Sequence, residues 1–172
     1  MIEVPISEDY MRHAREKASS VGILQGSITG GTSNIVGAIG EIIVADTIGA
    51  TEANTVNYDL VKDGNRIDVK TKRCNTRPQP NYDCSVASHG TKQDCDSYVF
   101  VRILTDLSKA WILGSISKKE YYAKATRYKK GQVDPSNGFT FRTDCYNLEI
   151  SKLEPINEIK SESETILTRS VS

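Results

Sequence analysis

The run Arg66-Ile67-Asp68-Val69-Lys70-Thr71-Lys72 alternates like a half-buried strand. Ile67 and Val69 share one face, and Asp68, Lys70 and Lys72 share the other. Upstream, Asp63-Gly64 is a hairpin turn signal, so positions summing to about 127 should pair and Asp59 should fall opposite Asp68. Two carboxylates directly opposite each other repel, and something must offset that. A hard divalent cation such as Mg²⁺ does so with one or two carboxylates, waters and a phosphate oxygen around it. Lys70, two residues beyond Asp68 on the same face, would then reach an attacking water or a phosphate oxygen. A third acid, Glu41, sits in "NIVGAIGEIIVADTIG", where apolar and small residues run almost all round a helix. It shares a face with Asn34, Gly37, Ala38, Ala45 and Ile48. An unpaired carboxylate buried there is costly, so Glu41 needs a cation. Gly37 and Gly40 would let the helix approach a sheet closely. The plainer alternatives are Asp59 as a strand-end residue, Lys70 as a surface cation, and Glu41 paired with a structural Lys or Arg.

The elements that must position these groups follow from pattern and caps. Residues 7–19 read as a helix with Ser7 as N-cap and Glu8 and Asp9 in the first turn. "QGSITGGTSN" is a flexible approach to a second helix over 34–48, capped by Ser33 and stopped by Gly49. Strands are expected near 56–62, 65–73, 82–88, 97–104 and 110–115, with "SYVFVRIL" as a central strand and the charged hairpin bordering a cleft. A third helix follows in "SISKKEYYAKATRY" with Ser117 at its start, and two short strands near 139–142 and 145–150 finish the chain. The order implies an α/β or α+β fold, a central sheet covered by helices. One domain over 1–156 is expected, with a loosely held Ser/Glu-rich tail over 157–172.

At Glu41, Asp59 and "Asp68-Val69-Lys70" the chain resembles the PD-(D/E)XK nuclease superfamily, in the order helix, strand, strand. It is similar in particular to small single-domain nucleases of bacteriophages and among homing endonucleases. The resemblance covers about 65 residues, 33–97. It implies a restriction-endonuclease-like core with a mixed central sheet, and Mg²⁺-dependent hydrolysis of DNA phosphodiesters, Mn²⁺ substituting. Glu41, Asp59, Asp68 and Lys70 become the catalytic set. Glu41, Asp59, Asp68 and the Val69 carbonyl become the metal ligands. Two departures are visible: Tyr58 precedes Asp59, so there is no literal Pro-Asp, and Asp68 replaces the commoner Glu.

Composition supports a soluble chain without naming its partner. Among 172 residues, 22 basic side chains balance 22 acidic ones. The distribution is uneven: residues 62–77 hold six Lys/Arg against two acids, and 102–130 hold eight against two. Such asymmetry can make a positive working face. Contacts to DNA are expected from Lys72, Arg73 and Arg77 in the loop after the hairpin, from Lys92 and Gln93 near the cleft, and from Arg127, Lys129 and Lys130. Cutting both strands commonly needs two active sites, which would make the protein a homodimer, though the oligomeric state stays open. Cys74, Cys84, Cys95 and Cys145 form no CxxC pair, and Cys84, His89 and Cys95 fit no familiar zinc spacing. No signal peptide and no apolar run near the ~20 residues of a membrane span are present, so a cytoplasmic, non-membrane protein is expected, conceivably virus-encoded. Two rivals remain. One is a nucleic-acid-binding protein that keeps the fold without catalysis. The other is phosphate binding at "GSITGGTSN", which lacks the GK[ST] of a P-loop.

Overall fold

The structure, a computed structural model, describes residues 1–25, 32–53 and 55–158. In chain order it runs β1 (Ile2–Pro5), α1 (Glu8–Gln25), α2 (Thr32–Ile48), β2 (Thr51–Glu52), β3 (Leu60–Lys62), β4 (Asn65–Cys74) and β5 (Asp83–Ala87). There follow β6 (Ser97–Leu104), β7 (Lys109–Ser117), α3 (Lys118–Lys124), β8 (Thr126–Tyr128) and β9 (Cys145–Glu149), with a short 3₁₀ turn at Ser88–Lys92. A six-stranded mixed sheet has the order β1-β7-β6-β4-β3-β2, and a second sheet has the order β5-β9-β8. Among the described residues only the β4–β6 pair is parallel. The fold is therefore the expected mixed α+β class. Among the described residues no helix is long and apolar enough to cross a membrane.

Strand alternation gives the central sheet two cores. On β6, Val99, Val101 and Ile103 join Ile67 and Val69 of β4 against Ile39, Ile42 and Ile43 of α2 and Ala14 of α1. Tyr98 and Phe100 point the other way, into Tyr121 of α3 and Val86 and Leu148 of the second sheet. Burying each such side chain is worth ~1.5–3 kcal/mol, which holds a layer on both faces of β4 and β6. Asp68, Lys70 and Lys72 thus stand on the second-sheet side, as the alternation requires.

The hairpin forms in the expected register, with Leu60 opposite Ile67, Val61 opposite Arg66 and Lys62 opposite Asn65. Asp63 (φ 49°) and Gly64 (φ 79°) both adopt the left-handed region that a two-residue turn of this type requires. Upstream, β3 is shorter than the expected 56–62. The Thr55 hydroxyl accepts from the Asn57 and Tyr58 N–H groups and turns the chain before the ladder begins. The third helix is also shorter. Ser117 caps it, its Oγ accepting from Glu120 N at 3.2 Å, but Thr126–Tyr128 leaves to pair with β9. Residues 139–142 form no strand, because Asp134 to Gly138 make a tight turn with a single bridge between Val133 and Thr140. The edge strand β1 gave no sequence signal. Most of the flexible approach to α2 (26–31) and the tail from 159 onward lie outside the described residues, as does the Ser33 side chain.

Close contact between α2 and β4 occurs at Gly40. A Cβ there would lie 2.0 Å from Thr71 Oγ1, whereas one at Gly37 would meet only Glu41 Oε1 at 4.0 Å. Gly40→Ala should therefore lower stability by ~1–3 kcal/mol, overpacking outweighing the better helix propensity of Ala. Gly37→Ala should be neutral or stabilising. Urea unfolding of both variants checks the contrast, and equal effects would contradict the close seat of α2.

Candidate active site

On the second-sheet face of β4, Asp68 is 4% exposed. Lys70 Nζ lies 2.7 Å from Asp68 Oδ2 and donates to Gln93 Oε1 at 3.1 Å. Gln93 Nε2 donates to Asp68 Oδ1 at 2.9 Å, which closes a three-membered ring of contacts. Asp68 Oδ2 is buried, with the Lys70 ammonium as its ion-pair partner. Tyr98 lies beneath, its ring 5.8 Å from Lys70 Nζ and its hydroxyl 2.9 Å from that of Tyr122. Gln93 is itself held. Lys118 Nζ donates to the Thr91 and Gln93 carbonyls, and Arg66 binds Asp94 and Asp96 on the same loop. Arg66 keeps the Asp96 carboxyl below the usual range.

Asp59 stands where the hairpin opens. Its N–H donates to the Ile67 carbonyl at 2.9 Å, and its Oδ2 accepts from Val69 N–H at 2.7 Å. N–H and C=O of one strand residue point to the same side, so the Val69 carbonyl faces this opening too. Burial, then Glu41, then Asp68 push the Asp59 carboxyl up to about 7, against the Val69 N–H and Lys70. Asp59 thus feels an acid from α2 and an acid from the other face of β4. The β3–β4 ladder ends at Leu60 opposite Ile67, so the expected cross-strand pair of Asp59 and Asp68 is not part of it. The three acids are linked by electrostatics, with Glu41 supplied by α2 through its close seat on β4.

Glu41 finds its cation in α1. Lys17 Nζ lies 2.7 Å from Glu41 Oε2 and 2.6 Å from Glu52 Oε1, and Glu52 in turn lies 3.6 Å from His13 Nε2. Burial lowers the Lys17 pKa, but the hydrogen bonds to Glu41 and Glu52 outweigh it and the net shift is upward. Lys17 and Glu52 were not foreseen. The signal was present: Lys17 falls in the helical stripe of Tyr10, Met11, Ala14 and Ala18, where a lysine must be paired.

Two lysines against Glu41, Glu52, Asp59 and Asp68 leave the cluster negative. Among the described residues no three acid, His or Cys side chains already converge on a metal position. The donor set nevertheless fits a hard cation. It is all oxygen, and burial together with the charges of Glu41 and Asp68 raises Asp59. Asp59, Asp68 and the Val69 carbonyl would hold the ion, and Glu41 would join by yielding Lys17.

The expected nucleic-acid contacts divide into two groups. Lys72 and Arg73 line a groove of about 1000 Å³ between the central and second sheets, beside Arg102 and Arg142. Burial in the groove, then Arg102, lower the Lys72 pKa. Lys92 is exposed on the 3₁₀ turn, and Gln93 belongs to the acid cluster itself. Arg77 instead lies 3.8 Å from Glu3, at the opposite edge of the central sheet, and Arg127 lies 3.8 Å from Asp144. Lys129 and Lys130 are exposed beyond β8, and His89 is also exposed. Tyr121 is core, while Tyr122 bonds Tyr98, so the helix covers the sheet with both. All four cysteines are free, with burial pushing Cys84 up to about 12 and Cys95 to about 11. No protein-family model matches the chain, and a search of curated proteins finds no match.

The Asp59 shift carries a stability consequence. Its folded value of about 7 lies above the ordinary 3.8. Its contribution to folding is therefore complete below 3.8 and is lost as pH rises to about 7. Asp59→Asn keeps an acceptor for Val69 N–H and loses the titration. Relative to wild type in EDTA, the variant should gain stability between about pH 4 and about pH 8, by a few kcal/mol at most. Urea unfolding at both pH values checks this, and a pH-independent difference would mean an ordinary Asp59.

Proposed function

We propose that the protein is a Mg²⁺-dependent nuclease of the PD-(D/E)XK type that hydrolyses DNA phosphodiester bonds. The observation that supports this best is Asp59, raised to about 7 by burial and by the charges of Glu41 and Asp68, with Lys70 and Gln93 directly beside Asp68. Clashing carboxylates are costly to assemble, and such perturbed groups concentrate at working sites. Bound there, Mg²⁺ would supply Lewis-acid polarisation of the scissile phosphate and a water of lowered pKa, with Mn²⁺ as a substitute. Lys70 would hold a non-bridging phosphate oxygen or the attacking water, oriented by Gln93 and Asp68. Water would attack phosphorus in line, the P–O bond to the leaving oxygen would break, and the proton given up by the water would be balanced by one taken up at the leaving oxygen. Exposed cations such as Lys72, Arg73 and Lys92 would position the backbone without reading sequence. A second copy of the chain would cut the other strand, in the cytoplasm of whichever cell holds the DNA.

One observation favours a non-catalytic DNA-binding protein instead: Lys17 and Lys70 already neutralise Glu41 and Asp68. Supercoiled plasmid separates the readings. Cleavage is expected with Mg²⁺ or Mn²⁺ and none in EDTA, while Ca²⁺ should allow binding without turnover. Lys70→Ala should lose ~10²-fold or more in rate with little loss of DNA binding. Lys72→Ala should mainly weaken binding and reduce the salt slope by about 1. Full cleavage in excess EDTA, or an active Lys70→Ala beside an inactive Lys72→Ala, would sink the nuclease reading as placed here.

A further inference from the structure

The groove beside the acid cluster has features that duplex binding alone does not use. It begins at Lys72, two strand residues and roughly 7 Å beyond Lys70 on the same face of β4. Four basic side chains line it, Lys72, Arg73, Arg102 and Arg142, against Asp83 and Asp134. Both acids have hydrogen-bond donors of their own, and Asp83 also lies within electrostatic reach of Lys72. Asp134 accepts from the Ser136 N–H and hydroxyl and Asn137, and Asp83 accepts from Asn147. Lys72, Arg73 and Arg142 make no ion pair among the described residues.

The far wall carries a ring stack. Tyr128 stacks on Phe141 at 4.2 Å between centroids, and Phe139 meets Phe141 edge-on at 5.4 Å. Phe139 ends the stack, 53% exposed and lining the groove. It is not a loose loop residue. Hydrogen bonds from Asp134 N–H to the Phe139 carbonyl and from Gly138 N–H to the Asp134 carbonyl fix the turn that presents it. An exposed ring on a fixed support opposite unpaired cations is the arrangement that binds single strands, bases on the ring and phosphates on the cations. At about 1000 Å³ the groove has the scale of a small-ligand site, with room for a few nucleotides and none for a double helix.

We propose that this groove seats an unpaired nucleic-acid strand running on from the Lys70 site, with one base stacked on Phe139. The substrate would then be DNA with a single-stranded flank, such as a flap or a branch, rather than plain duplex. The identity of the ligand rests on the nuclease reading, but the binding test does not depend on turnover.

Fluorescence anisotropy in EDTA with a labelled single-stranded oligodeoxynucleotide and a blunt duplex provides the test. Wild type should bind the single strand. Phe139→Ala should weaken that binding by between about 5-fold and about 100-fold, the range for losing one stacked base. It should leave duplex binding unchanged. Arg142→Ala should flatten the single-strand salt dependence by about 0.7. Both positions are exposed, and a circular dichroism melt confirms folding. Failure of wild type to bind a single strand, or wild-type binding by both variants, overturns the proposal. Plasmid cleavage under Mg²⁺ alongside either result would show that the nuclease reading stands while the groove assignment falls. Variant-sensitive binding without cleavage would leave the groove assignment standing alone.

Discussion

At Gly40, α2 comes so near β4 that Thr71 occupies the space a side chain would need. That contact fixes the height of Glu41, one residue on, relative to the open end of the hairpin. Asp59 is then caught between Glu41 on the helix side and Asp68 on the second-sheet side, and its carboxyl rises to about 7. Neither core would choose this arrangement for its own sake. Apolar packing on both faces of β4 supplies the free energy that holds mutually repelling groups within reach of one another. Even the contact itself has a cost, since Thr71 Oγ1 is buried there without a hydrogen bond.

Lys17 shows how the chain tempers that repulsion. Its ammonium bridges Glu41 and Glu52, and its side chain is only 11% exposed. A lysine carries a compact charge on a flexible stem, so it can release one carboxylate while keeping the other. Glu52 gives it a second partner if Glu41 turns toward a bound cation. Lys70 has the same character on the other side, shared between Asp68 and Gln93. Asp59 has no lysine in ion-pair contact among the described residues, and burial and its acidic neighbours raise its carboxyl to about 7.

Much of this was legible in the chain. The register of β3 and β4 followed from Asp63-Gly64, because a two-residue turn leaves a hairpin no freedom to slip. The bounds of β6 follow from the apolar and aromatic run "SYVFVRIL", which the fold buries along almost its whole length. Ile67 and Val69 on one face, with Asp68 and Lys70 on the other, followed from the pleat. What escaped was set by tertiary partners. Ile2–Pro5 is too short for periodicity and becomes a strand only because β7 offers an edge. Tyr128 looked like the end of a helix, but β9 recruits it into a ladder. Lys17 sits in the apolar stripe of its helix, but only the fold shows that Glu41 and Glu52 are its partners. Arg77 and Arg127 looked like part of one basic surface, yet the fold sends them to separate edges.

The most direct measurement is the carboxyl titration of Asp59 itself, followed by carbon-detected nuclear magnetic resonance with and without Mg²⁺. Burial, with Glu41 and Asp68 nearby, predicts a midpoint of about 7 in EDTA. A cation held by Asp59 and Asp68 must favour the ionised form, so Mg²⁺ should pull that midpoint down by more than about one unit. A midpoint near the ordinary 3.8, or one near 7 that Mg²⁺ leaves in place, would contradict the account.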